Sequence, residues 1–346
     1  MGNLQSYCCN EDTIEVIDER EEQSRIWSET SNNQQYGTSL PPKAPIVYDI
    51  VLPKLIPIEI ENIPESHPTD SNNAEIKEEY CAEQFEHLRS LILKNPSGQK
   101  QFTELLWSCI PWSAPGGKSG STFLKTVNDQ FILKEMSKLE LQSFLSIADE
   151  YFKYVETSYK ENKPSLLSTI LGIYKIDYTG ATQSSNAYYF MVMKNLFYGR
   201  NITQRFDLKG SVRNRLTETD DPDNTEHVLM DENLIRIVGD HPLFIHASSK
   251  QIINKCVEND SKFLSSISVM DYSLLVGVDK ERQELVLGII DYVRPFTWDK
   301  KIERVVKSVV SSGLPTIVEP SLYRERFCEA MDKYFECVPD GDDYSI

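Results

Sequence analysis

Residues 270–299, MDYSLLVGVDKERQELVLGIIDYVRPFTWD, are the stretch around which the rest of the chain can be read. Two apolar runs, 272–278 and 285–290, flank the polar cluster 279–284 (DKERQE), the pattern of a hairpin of two β-strands. Each run carries a carboxylate at its outer end. Folded symmetrically about Glu281, the hairpin makes Asp271 and Asp291 cross-strand neighbours with Cβ atoms roughly 5 Å apart. Two like charges held that close need a cation between them or a shared proton. The same spacing also fits two solvated strand-end residues, and by itself it leaves both readings open.

The chain of 346 residues, 40% of them hydrophobic, is long enough for one large domain or two ordinary ones with a real core. Its net charge of −17 is uneven: residues 1–80 hold 16 Asp and Glu against 5 Lys and Arg. An acidic protein is a poor nonspecific binder of nucleic acid, so an anionic partner has to be met by a local basic face. Two such stretches occur, 194–215 (Lys194, Arg200, Arg205, Lys209, Arg213, Arg215) and 294–307 (Arg294, Lys300, Lys301, Arg304, Lys307). Seven cysteines without framework spacing argue for a reducing compartment. No apolar stretch is long enough to span a bilayer, and the N-terminus has no secretory signal.

The start, MGNLQSYCC, carries a different signal. Gly2 and Ser6 fit the N-myristoylation pattern M-G-x-x-x-[ST], and Cys8 and Cys9 stand ready for S-palmitoylation. One myristoyl chain binds membranes with a constant of only about 10⁴ M⁻¹, so a second lipid is what makes an anchor stable. The expectation is a protein held on the cytoplasmic face of a membrane, endosomal or plasma. Residues 10–78 are acidic and rich in Asn, Ser and Pro, which reads as a mostly disordered tether, with 46–60 an irregular extended segment interrupted by Pro53 and Pro57. The folded domain is expected at 79–338, followed by an acidic tail at 339–346.

Within that domain, Cys81, Phe85, Leu88 and Ile92 form one stripe of an amphipathic helix, and 102–109 a second, shorter one. Gly116-Gly117-Lys118-Ser119-Gly120-Ser121 then lies ahead of two short strands, 122–127 and 131–134, where glycines let main-chain N–H groups approach phosphates. It is not a Walker A loop, because the first glycine of that motif would fall on Trp112. Lys134 ends a strand, and Glu140 follows on a helix. A strand lysine paired with a helix glutamate is how kinases hold the lysine on nucleotide phosphates, although a surface lysine and a solvated glutamate fit as well. Strands at 171–177 and 188–193 lead into Lys194-Asn195-Leu196, where the chain can cross between two lobes. The basic turn Asp207-Leu208-Lys209-Gly210-Ser211 and helices at 249–264 and 322–335 complete the domain.

The order GGKSGS, FILK, DLKGS, VMDYSLLVG, GIIDYVRPFTWDKK resembles the phosphatidylinositol phosphate kinases, and FILKEMSKLELQSFL with PSLYRERFCEAMDKYF is most similar to their type III branch, the phosphatidylinositol 3-phosphate 5-kinases. The resemblance covers about residues 80–338. It implies an α+β, two-lobed fold distantly related to protein kinases, with antiparallel sheets and flanking helices, and transfer of the ATP γ-phosphate to an inositol hydroxyl of a phosphoinositide in a membrane surface. Carried across by motif, Gly117, Lys118, Ser119, Gly120 and Ser121 cover the nucleotide, Lys134 pairs with its phosphates and is steadied by Glu140, and Met193 contacts the nucleotide at the crossing. Lys209 reaches the transferring phosphate, Asp271 is the catalytic aspartate, and Asp291 holds Mg²⁺. Phosphatidylinositol 4-phosphate is the alternative substrate, since the segment after Asp291 that helps choose the lipid in this family is short here and lacks lysine at 309–315. A membrane-tethered pseudokinase is the alternative of another class; a protein kinase is disfavoured, because neither HRD nor DFG occurs.

Overall fold

The computed structural model describes residues 46–53, 58, 60, 74–93, 97–115, 121–178, 187–219, 227–240, 243–293 and 319–340. Its strands are β1 (Val47–Val51), β2 (Ala74–Tyr80), β3 (Cys109–Pro111), β4 (Phe123–Thr126), β5 (Phe131–Met136) and β6 (Ile170–Tyr178). They continue as β7 (Ala187–Lys194), β8 (Gln204–Leu208), β9 (Phe244–His246), β10 (Ser273–Asp279), β11 (Glu284–Ile290) and β12 (Glu336–Val338). The described helices are α1 (Ala82–Ile92), α2 (Gly98–Leu106), α3 (Lys138–Leu145), α4 (Ala148–Lys160), α5 (Asp231–Asp240), α6 (Ala247–Ser266) and α7 (Pro320–Tyr334).

The architecture is α+β and two-lobed, each lobe built on a six-stranded sheet. The first sheet runs β2-β6-β7-β5-β4-β3 with every neighbouring pair antiparallel. The second runs β12-β9-β1-β11-β10-β8 and departs from the expectation of antiparallel sheets: β1 pairs in parallel with both β9 and β11, and β12 in parallel with β9. On its other side, β10 is antiparallel to β11 and to β8.

The expected domain start at Glu79 is also corrected. β1 lies inside the second sheet with a strand on either side, and β2 is an edge strand of the first. β1 and the first five residues of β2 come from the stretch read as tether. The reason lies in their composition: β1 is only five residues long and is followed by Pro53, while β2 reads AEIKEEY, too polar to signal a strand. A five-residue segment flanked by partners is stabilised by two ladders rather than by its own pattern. Ile58 extends the same segment to the first lobe, its N–H donating to Ile92 O at the end of α1.

β10 and β11 are buried on both faces, which is why they read as continuous apolar runs rather than alternating ones. One face receives the crossing segment after β7. Gly277 and Gly288, diagonal neighbours across the pair, leave the room: a Cβ there would lie 2.4 Å from a ring carbon of Phe197 and 2.5 Å from a methyl of Leu196. The residues that carry the chain between lobes are thereby seated on the hairpin. The expected helices at 249–264 and 322–335 are α6 and α7, and the second expected helix at 102–109 ends earlier, with Cys109 already in β3.

Candidate functional site

The hairpin differs from a fold symmetric about Glu281 by one residue. Ser273 pairs with Ile290 and Asp279 with Glu284, closing a four-residue loop in which Arg282 N–H donates to Asp279 Oδ1 (3.0 Å) and Gln283 is left-handed (φ 54°). Continued outward, this register sets Asp271 against Tyr292 and Asp291 against Tyr272, so the two aspartates are not cross-strand neighbours. An even-numbered loop centres between two residues, and a slip of one exchanges sheet faces. Both aspartates stand just outside the strands in the left-handed region, Asp271 at φ 64° and Asp291 at φ 62°. Asp tolerates that conformation better than most residues, and such positions cluster at functional sites.

No cation has to be shared between them, because each carboxylate has its own lysine. Lys134 on β5 donates to Asp291 Oδ1 in an ion pair that joins the two lobes. Lys209, which follows β8, lies with Nζ 2.6 Å from Asp271 Oδ1 and 2.8 Å from Asp271 O. Lys134 is nearly buried, with its ammonium 6.0 Å from the centre of the Phe123 ring, while the two aspartates are open to solvent.

Between the lobes is a cavity of about 890 Å³, lined by Phe123, Ile132, Lys134 and Met193 from the first sheet, by the crossing segment, and by Asp207, Lys209 and Asp291 from the second lobe. Ile132 and Lys134 share a face of β5 by strand alternation, and Met193 is the cross-strand partner of Ile132. Asp271 is not among the lining residues; it stands beside the cavity, held through Lys209.

Glu140 has a different place from the one expected. Its carboxylate closes a capping box at the start of α3, accepting from Ser137 N–H (2.8 Å) and Ser137 Oγ (2.8 Å), while its own N–H donates to Ser137 Oγ (3.2 Å). The ion-pair partner of Lys134 is Asp291, not Glu140. The sequence S-x-x-E carries the capping signal plainly, and it outweighs the kinase analogy here. Ser121 precedes β4 and is not among the cavity-lining residues. Gly117, Lys118, Ser119 and Gly120 lie outside the described residues, as do Gly2, Cys8 and Cys9 and the basic stretch 294–307.

In the other basic stretch, 194–215, Lys194, Arg200, Arg205, Lys209 and Arg215 are half-buried and line the cavity, and Arg213 is exposed. Arg200 pairs with Glu284 (2.9 Å), and Arg205 lies over the Phe197 ring, 5.6 Å from its centre. Arg215 pairs with Asp207 (2.7 Å) and with the fully buried Asp231 (2.9 Å). Burial works against the charge of Arg215, yet Asp231 and Asp207 together hold its pKa above the ordinary arginine value. For Lys194, burial and the nearby Arg200 push the pKa down. Asp231 was not read as a site residue from sequence: it is the first residue of α5, separated from Lys209 by a polar stretch with no motif of its own.

The profile of the phosphatidylinositol-4-phosphate 5-kinase family matches residues 112–285 and 280–334. The chain is 49% identical over 267 residues to the 1-phosphatidylinositol 3-phosphate 5-kinase of Homo sapiens, covering 75% of this chain and 13% of that one. It is also 49% identical to the Mus musculus enzyme of that name, over 75% of this chain and 13% of the relative. To the Saccharomyces cerevisiae 1-phosphatidylinositol 3-phosphate 5-kinase FAB1 it is 42% identical over 252 residues, 70% of this chain and 11% of the relative. The chain thus spans a small fraction of the length of these relatives.

Proposed function

Since the chain belongs to the phosphatidylinositol-4-phosphate 5-kinase family, we propose that it is an ATP-dependent lipid kinase acting on phosphatidylinositol 3-phosphate at the 5-position of the inositol ring. The product is phosphatidylinositol 3,5-bisphosphate. The observation that carries the proposal is the convergence of Lys134, Lys209 and Asp291 on one cavity between the lobes. The choice of lipid is supported by the names of the human and yeast relatives.

Phosphoryl transfer asks for in-line positioning and neutralisation of phosphoryl oxygens rather than covalent work by the protein. Lys134 and Lys209 bind those oxygens from the two lobes. Asp271 orients the inositol hydroxyl and takes its proton as the new P–O bond forms and the bond to the ADP oxygen breaks. The donor set suits Mg²⁺: this ion uses one or two carboxylates together with substrate phosphates, and Asp291 lines the cavity next to Lys134. Bound there with the nucleotide, the ion supplies further positive charge to the phosphates. Gly2, Cys8 and Cys9 support a place on the cytoplasmic face of an endosomal or plasma membrane, fixed by acylation.

The test is purified full chain with labelled ATP and vesicles carrying phosphatidylinositol 3-, 4- or 5-phosphate separately, with product isomers resolved. Label on the 3-phosphate lipid at the 5-position is the expected result. Preference for the 4-phosphate lipid overturns the substrate, and no transfer to any lipid overturns the activity in favour of a tethered scaffold.

A further inference from the structure

Asp231 is a fully buried carboxylate with four donors on it. The main-chain N–H of Lys209 reaches Oδ1 at 3.0 Å, that of Gly210 reaches Oδ1 at 2.8 Å, and Arg215 Nε reaches Oδ2 at 2.9 Å. The fourth donor is the hydroxyl of Tyr334, 2.8 Å from Oδ1, at the end of α7. Two consecutive main-chain N–H groups on one carboxylate fix the direction in which the backbone turns, and with it the point from which the Lys209 side chain departs. Charge-assisted bonds of this kind are the stronger ones, and a buried donor left without its acceptor is destabilising. The turn also packs closely against α7. Gly210 is left-handed (φ +71°), and a Cβ there would meet Ala330 Cβ at 2.9 Å and Arg326 O at 3.1 Å, both on α7.

The same helix reaches the other half of the pair. The Tyr323 hydroxyl donates to the main-chain oxygen of Tyr272, the residue after Asp271. The Tyr272 ring packs edge-on against Tyr323 and Phe327, with centroids 4.9 and 5.0 Å away. All three rings are fully or almost fully buried. Helix α7 thus contacts the backbone neighbours of Lys209 and of Asp271 from behind, while Lys209 Nζ binds Asp271 at its carboxylate and its carbonyl.

We propose that α7 is the brace that sets the Lys209–Asp271 pair, with Tyr334 acting through Asp231 on one side and Tyr323 through Tyr272 on the other. Asp231, Tyr334 and Tyr323 are positioning residues for the transfer step, an assignment that rests on the lipid-kinase reading above. A small misplacement of a reacting group is expensive in rate: about 1 Å can cost on the order of 100-fold.

The test is a kinetic cycle on the full chain, with ATP and vesicles carrying phosphatidylinositol 3-phosphate. Tyr334→Phe removes one hydroxyl and keeps the ring. It is expected to lower kcat roughly 10-fold with the KM for ATP unchanged, and Asp231→Asn to lower it further. In a Lys209→Ala background, where the side chain being positioned is gone, Tyr334→Phe is expected to cause no additional loss. A general structural role predicts the same factor in both backgrounds, and that result overturns the brace, as does an unchanged kcat in Tyr334→Phe. Full turnover in Lys209→Ala overturns the role of Lys209 itself and the brace with it; the single Lys209→Ala variant therefore separates the two failures.

Discussion

Lys134, on a strand of the first lobe, is ion-paired to Asp291, which directly follows a strand of the second. Both residues line the cavity, and the pair couples the lysine to the carboxylate proposed to hold Mg²⁺. Asp291→Ala is expected to weaken ATP binding in the presence of Mg²⁺ by at least roughly 10-fold while leaving Mg²⁺-free binding little changed. Calorimetric titration with and without the ion checks this, and equal losses in both conditions would contradict the metal role.

Asp271 stands beside the cavity rather than on its wall, bound through Lys209. Asp271→Asn is expected to leave nucleotide affinity nearly intact and to reduce turnover by about 100-fold or more, as for loss of a general base. Near-normal turnover in that variant would sink the assignment.

Gly277 and Gly288 are the floor on which the lobe crossing rests. Gly277→Ala places a methyl against the Phe197 ring and is expected to destabilise the fold by about 1–3 kcal/mol. Combined with Phe197→Ala, the two losses should fall short of additivity by at least about 0.5 kcal/mol in denaturant unfolding. Strict additivity would show that the two side chains do not compete for that space.

Asp260 joins α6 to the first lobe, accepting from Tyr154 OH (2.6 Å), Ser165 Oγ (2.9 Å) and Leu166 N–H (2.6 Å). Burial pushes its pKa up to about 6, and those hydrogen bonds oppose the rise without cancelling it. A raised carboxyl pKa means that the folded state binds more protons than the unfolded one between about pH 4 and 6, so stability falls as pH rises through that window and levels off above it. Asp260→Asn is expected to flatten this slope, worth on the order of 3 kcal/mol. Thermal unfolding of both proteins across the window tests it; parallel curves would rule out Asp260 as the source.

β1 sits between β9 and β11, so removing it opens two strand edges at once. A chain beginning at residue 79 is expected to lose cooperative unfolding, whereas one beginning at residue 46 should melt as the full chain does. A cooperative transition at the full-length midpoint in the shorter protein would count against a structural role for β1.

The proposed anchor predicts that Gly2→Ala disperses the protein from membranes, because it removes one of the two lipid signals that stable anchoring needs. Imaging in cells decides it: unchanged membrane localisation would refute the anchor.

What the sequence by itself determined was whatever depends on neighbours along the chain. The paired apolar runs at 272–278 and 285–290 showed the hairpin, the stripe from Phe85 to Ile92 showed α1, and the order of short motifs from Lys134 to Asp291 showed the family. The tertiary structure decided what depends on residues far apart. Lys134 could have met Glu140, six residues on, but a capping box claimed that carboxylate, and the lysine met Asp291, 157 positions away, instead. The hairpin register turned on one residue of loop geometry, and β1 gained its place from two partner strands rather than from its own five residues. Asp231 shows the same limit most plainly. It carries no motif, and only the packing of α7 against the Lys209 turn brings Tyr334, Arg215 and two main-chain donors onto one buried carboxylate, where their mutual satisfaction stabilises a charge that burial alone would penalise.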